Sequence, residues 1–207
     1  MIVNMALKRI ADFHGHLCPD LVLGGKLCEY IQQRLPPTEP ANGITAIIAE
    51  NSTSALDAIQ IMLGTTLGNQ RLKIMDIGKH NYTIIPKSVA TSFRMRLTVQ
   101  DYENEETYQR LSGKMLANTI VMDEVVNLQI LLDERVKYLL RQPPESLFRI
   151  ESIEKEPQIP EVPSIYLTCC RCNEQVLGSH AVNYQDKIYC ISCLQQMNAG
   201  CLRDHLH

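Results

Sequence analysis

Apolar and polar positions recur along this chain with two different periods, and each change of period marks a new element. Residues 5–11 show helical spacing and predict a short helix. Leu21, Leu23, Leu27, Cys28, Tyr30 and Ile31 then give one side of a second helix, with Asp20 as its N-cap and an end near Leu35. Gly24 and Gly25 inside that helix cost roughly 1 kcal/mol each relative to alanine, which predicts a close backbone neighbour. The proline cluster at 36–40 ends it. Residues 43–49 (GITAIIA) are β-branched and apolar, the pattern of a buried strand. A polar turn leads to a helix capped by Ser54 and running to about Leu63, with Asp57 in its first turn.

Residues 71–76, 82–86 and 92–100 predict three more strands, with a tight turn at 76–80 between the first two. In the third, Phe93, Met95, Leu97 and Val99 alternate with Arg94, Arg96, Thr98 and Gln100, as in an antiparallel strand with one wet face. Residues 103–141 are the most helical part, with a break expected at Asn118-Thr119. Apolar positions from Met115 to Leu132 cover more than one stripe, so a second copy of the chain is the expected cover: a homodimer built on the 115–140 region. Pro143-Pro144 stops the helix, and residues 146–153 return as a strand. Three prolines at 157–163 (PQIPEVP) predict a stiff linker.

The reading is an α+β protein: a mixed or antiparallel sheet packed with helices at 1–156, a linker at 157–168, and a small treble-clef or zinc-ribbon domain at 169–207. A length of 207 residues accommodates that plan. A net charge of −3 gives no general attraction to nucleic acid or anionic membrane. No apolar run approaches the roughly 20 residues a membrane span needs, and the N-terminal stretch lacks the layout of a signal peptide. A cytoplasmic protein is expected.

Cysteine placement adds chemistry. Six of the 8 cysteines fall at 169, 170, 172, 190, 193 and 201. Cys169-x2-Cys172 and Cys190-x2-Cys193, 17 residues apart, fit a closed four-thiolate zinc site. A rubredoxin-like iron site is the rival, but its usual glycine and proline neighbours are missing. Cys170 and His180 read as bystanders, and Cys201, His205 and His207 as a frayed tail. Lys187, Arg171 and Arg203 are cancelled by Glu174, Asp186 and Asp204, so this finger reads as structural or protein-docking, not as a nucleic-acid reader.

The second constellation is FHGHLCPD at 13–20. His14, His16 and Cys18 stand at alternate positions, and an extended backbone would place all three on one face. Pro19 biases Cys18 to be extended, and Gly15 permits an unusual dihedral between the histidines. Imidazole and thiolate suit zinc, nickel, copper or iron. The plainer alternative is a loop with two solvated histidines and a buried thiol. Residues 64–68 (GTTLG) lack the lysine and spacing of a phosphate loop.

FHGHLCPD, then DAIQ at 57–60, GTTLG at 64–68 and DIGK at 76–79, occur in an order that resembles the FmdE family of formylmethanofuran dehydrogenase. The resemblance implies an α+β core forming an intertwined dimer. It also implies a metal pocket at the HGHxC segment that faces the DAIQ helix, and in some members a C-terminal zinc finger. The family's name associates it with a molybdenum or tungsten enzyme. The chain itself reads as a metal-dependent enzyme or redox-associated core using the HGHxC site, with a non-catalytic accessory or docking subunit of a larger formylmethanofuran dehydrogenase-like complex as the alternative. Two departures from the family pattern are Ser54 and Thr65, where cysteines are usual. On this reading His14, His16 and Cys18 hold a second divalent transition metal with an open position. Asp57 serves as general base or as orienter of a histidine, and Lys79 as an electrostatic clamp. The sequence carries no pterin machinery and no iron–sulfur cysteine series of its own.

Overall fold

The computed structural model describes residues 2–35, 43–87, 91–153 and 165–203. Two compact units emerge, Met1–Glu156 and Pro157–His207. The proline-rich stretch at 157–163 lies outside the described residues. No helix is long and apolar enough to cross a membrane among those described.

The first unit opens with two helices, α1 (Ile2–His14) and α2 (Pro19–Arg34). Strand β1 (Ile44–Ala49), α3 (Ala55–Leu63) and β2 (Leu72–Ile74) follow, then β3 (Asn81–Pro86) and β4 (Ser92–Leu97). A helical hairpin, α4 (Glu105–Leu116) and α5 (Met122–Arg141), a single turn α6 (Pro144–Leu147) and β5 (Phe148–Ile153) complete it. The sheet order is β2-β1-β3-β4-β5, with β1–β2 parallel and the other neighbours antiparallel. It is the mixed sheet of an α+β fold, as expected. The turn at 76–80 is not a hairpin, because β1 lies between β2 and β3; the segment crosses the end of β1 instead.

Ile47, Ala49, Tyr82, Ile84 and Met95 on one face of the sheet pack with Val22, Leu27 and Ile31 of α2 and Ile59 and Leu63 of α3. On the opposite face Arg94 pairs with Glu50 and Arg96 with Glu151, so the alternation of β4 separates an apolar face from an ion-paired one. The strand stops at Leu97, short of the predicted 100, and Val99 is fully exposed.

Gly24 answers to the close approach its cost predicted. A Cβ there would fall 2.4 Å from the Ala55 carbonyl oxygen, so α2 rests on the start of α3 through bare backbone. Asp20 is not the cap of α2: Cys18 is, Pro19 is the first helical residue, and Asp20 sits in the first turn. Ser54 offers α3 no side-chain cap; Thr53 Oγ1 accepts from the Ala55 N–H at 3.4 Å instead. The break between α4 and α5 falls at Asn118, in the left-handed region with φ 54°.

In the second unit, β6 (Tyr166–Thr168) pairs with β7 (Gln175–Leu177), and β8 (Ala181–Tyr184) with β9 (Lys187–Cys190), before α7 (Ile191–Arg203). The strand expected across 176–182 is interrupted by a 3-10 turn at Gly178–His180, which makes two hairpins of one. Helix α7 runs through Cys201 to Arg203, while His205 and His207, the rest of the expected frayed tail, lie outside the described residues. Knuckle, hairpin and helix follow one another in treble-clef order.

Candidate metal centres

The C-terminal centre is built by the two turns that carry CxxC. The first lies between β6 and β7, and the second joins the end of β9 to the first turn of α7. The sulfurs of Cys169, Cys172, Cys190 and Cys193 all lie within 4.8 Å of one another. Backbone N–H groups of Cys172, Cys190 and Arg171 lower the Cys169 thiol to about 6. Cys193 is pushed the other way, to about 12, by sharing hydrogen bonds first with Cys190 and then with Cys172 and Cys169. Crowded thiols therefore oppose ionising together, and a divalent cation removes that conflict by neutralising them. The donor set fits a closed metal site. Cys170 is exposed and outside the set, its N–H bonded to the Ile188 carbonyl at 2.8 Å; His180 is exposed, beside Ser179.

The N-terminal centre gathers its donors without a strand. The segment is not extended throughout: α1 continues to His14, and the Gly15 N–H closes its last turn on the Ala11 carbonyl at 2.8 Å. Gly15 then turns the chain with φ +96°, a conformation that would strain any L side chain. Cys18 is extended, with φ −137° and ψ 163°, as Pro19 requires. A helix end, a reversal and a helix start thus replace a strand, and the donor atoms of His14, His16 and Cys18 still lie within 4.8 Å of one another. Cys18 Sγ stands 3.8 Å from His14 Nε2, and the two imidazole centroids are 4.8 Å apart.

Asp57, in the first turn of α3, meets His14 Nδ1 at 2.7 Å. That contact fixes the imidazole so that Nε2 faces the thiol and the other histidine, as carboxylates do behind metal-bound histidines. The donors and their orienting carboxylate fit a transition-metal ion on an open surface, since His16 is exposed. Cavities of about 670, 410 and 270 Å³ are lined by other residues.

Among the described residues, no hydrogen bond or ion pair of its ammonium brings Lys79 to this group. Its side chain is exposed, and its backbone is held by the Glu50 carbonyl and by Asn51 Nδ2. Asp76 is spent on the turn, accepting from Ser52 Oγ and from the Gly78 N–H. Thr65, one of the two departures from the family pattern, is buried with no partner for its hydroxyl among the described residues, and Ser54 has a helical conformation at the start of α3.

One cluster has no counterpart among the sequence expectations. His80 Nδ1 lies 3.2 Å from the Tyr82 hydroxyl and its Nε2 lies 3.6 Å from Asp20 Oδ1. His80 and Tyr82 share a strand face across two residues, but nothing in the sequence places Asp20 beside them.

Among curated proteins the chain is similar to a probable S-adenosyl-L-methionine-binding protein of Archaeoglobus fulgidus, with 28% identity over 159 residues, 73% of this chain and 43% of that protein. The chain therefore spans less than half the length of that relative. Among solved structures it is similar to a tungsten formylmethanofuran dehydrogenase FmdE-like protein from Syntrophus aciditrophicus, with TM-score 0.60, 21% identity, and coverage of 94% of this chain and 92% of that one. That likeness speaks to the fold. The family model described as FmdE, molybdenum formylmethanofuran dehydrogenase operon, matches residues 13–149, from the start of the HGHxC segment to β5, and the chain belongs to that family.

Proposed function

We propose that this FmdE protein binds two metal ions per chain and that the HGHxC ion is the functional one. Zinc suits the four cysteines, where a tetrahedral thiolate set leaves no room for substrate and the ion acts as a fold-holding staple. His14, His16 and Cys18 supply only three donors, which leaves a position for a ligand. The observation that carries the reading is the Asp57–His14 contact of 2.7 Å behind three converging donors. A transition metal there would polarise a bound carbonyl or activate water. This chain's own residues would do the rest: His14, His16 and Cys18 hold, and Asp57 orients His14.

Elemental analysis separates the ions. Wild type should carry about two metals per chain, Cys169→Ser with Cys172→Ser about one, and His14→Ala about one, by the ligand counts of such sites. Unchanged metal content in a folded His14→Ala protein would refute the core site.

A second reading, an accessory component of a larger formylmethanofuran dehydrogenase-like complex, draws on the helical hairpin. Leu116 and Met122 at its tip are 86% and 76% exposed, and Val126 and Ile130 continue the uncovered side. We favour a second copy of the chain as the first cover, giving a cytoplasmic homodimer through the 115–140 region. Recovery of the homodimer alone from native extract would count against the larger assembly.

A further inference from the structure

Along α2 the buried residues Val22, Lys26 and Tyr30 follow one another at a spacing of four, so a charge occupies a position that the helical period reserves for apolar side chains. Lys26 is 9% exposed, and lysine is almost never buried to that degree unless it is paired. Its ionic partner among the described residues is Glu29 Oε2 at 3.5 Å. That separation is long for a hydrogen bond, and an ammonium carries three donors. A largely buried cation with donors to spare calls for a further acceptor.

The space for one lies beside it. Lys26 lines a cavity of about 270 Å³ between α1, α2, α3 and α5, with an apolar wall of Leu7, Ile10, Val22, Met62 and Leu140. Gly25 belongs to the same lining, and a Cβ there would stand 3.3 Å from Ile10 Cδ1, so bare backbone lets α1 close that side. The described lining residues include no aromatic ring, and the cavity therefore offers no stacking surface. Its volume is at the small end for ligand sites, which suits a short alkyl chain and not a nucleotide or a long acyl chain. None of these residues belongs to either metal centre.

We propose that this cavity binds a medium-chain aliphatic monocarboxylate, with the alkyl chain against the Leu7–Leu140 wall and the carboxylate on the Lys26 ammonium. A carboxylate supplies acceptors only and carries the charge that matches the cation. Glu29 opposes a second carboxylate on the same ammonium, so it holds the affinity down.

Octanoate is the probe, titrated into the full chain by calorimetry and followed by labelled methionine methyl signals. The Met62 signal, identified by its loss in Met62→Leu, should shift and saturate with the heat. Each methylene removed from octanoate should weaken binding about four-fold. Lys26→Met keeps an unbranched apolar stem and should bind octanoate about ten-fold more weakly or worse, the scale of a hydrogen bond to a charged group. Glu29→Gln should bind it about two- to five-fold more tightly, as removal of a nearby like charge does. No shift at Met62 under saturating octanoate, equal octanoate affinity in Lys26→Met, or 1-octanol binding wild type as tightly as octanoate would each overturn the proposal. Should Lys26→Met fail to fold, an unchanged affinity in Glu29→Gln would overturn it as well.

Discussion

Gly24 shows how one residue sets the spacing of two helices. Replacing it with alanine gains up to about 1 kcal/mol of helix propensity. The same methyl would sit 2.4 Å from the Ala55 carbonyl oxygen and 2.7 Å from its Cα, both backbone atoms that cannot swing aside. Overpacking of that kind costs about 1–3 kcal/mol, so the clash wins. Gly24→Ala should lower the denaturant midpoint and also loosen metal binding, because Ala55 opens the helix that carries Asp57. An unchanged midpoint would mean that α2 and α3 separate easily. Asp57 itself is a positioning residue on this account. Asp57→Ala should weaken metal affinity at the core site about 10–100-fold while the finger keeps its ion, the usual scale for a lost carboxylate behind a metal-bound histidine. Competition with a chromophoric chelator reads both sites. At the finger, the thiol of Cys169 has its pKa lowered to about 6 from an ordinary 9.0. At low temperature, where the metal-free knuckle still holds its turn, its thiolate therefore persists well below the pH at which an ordinary cysteine is protonated, and is lost as pH falls through the lowered value. Thiolate absorbance that survives at neutral pH and disappears in Cys169→Ser would bear this out.

At the scale of elements, Arg135 of α5 is the tie between the helical hairpin and the loop before it. Its guanidinium lies 3.5 Å from the Tyr108 ring centroid and 4.2 Å from that of Tyr102, and it pairs with Glu105. Only 11% of its side chain is exposed. Arg135→Lys keeps the charge, yet an ammonium cannot stack as a plane between two rings. A loss of about 1–2 kcal/mol is expected, on the scale of a partly desolvated cation–π contact, and thermal unfolding would measure it. Such a sandwich is not legible in the sequence, since it joins residues far apart in the chain. What is legible has local causes. The strands and helices follow from period, and the break at Asn118 from a residue type that tolerates positive φ. The cysteine module follows from spacing that a metal imposes. At the core centre the three donors converge, but around a helix end and not along a strand. Gly15 and Pro19 shape the segment as their chemistry suggests, whereas the helical spacing of residues 5–11 does not reveal that α1 runs on to His14. The Asp20–His80–Tyr82 cluster is hidden because it is assembled by the crossing of β1, a fact of sheet order that no local pattern encodes.

The whole molecule divides its stability between two different sources. The unit Met1–Glu156 has an apolar core in which Leu27, Ile31, Ile47, Ile59, Leu63 and Ile84 are all fully buried. The unit Pro157–His207 has little of this kind: its fully or largely buried hydrophobic positions, among the described residues, are Cys169 and Cys193. Two short hairpins and one helix without an apolar centre do not offset the entropy of ordering a chain of that length, and an ion held by the four cysteines would supply the difference. A strong chelator should therefore unfold the second unit at moderate temperature, seen as loss of hydrogen-exchange protection across β6 to β9. The strands of the first unit should keep their protection, even though the same chelator would empty the proposed HGHxC centre, because that surface is already held by packing. Equal loss of protection in both units would show that the finger's ion stabilises the core, and that the two units fold as one.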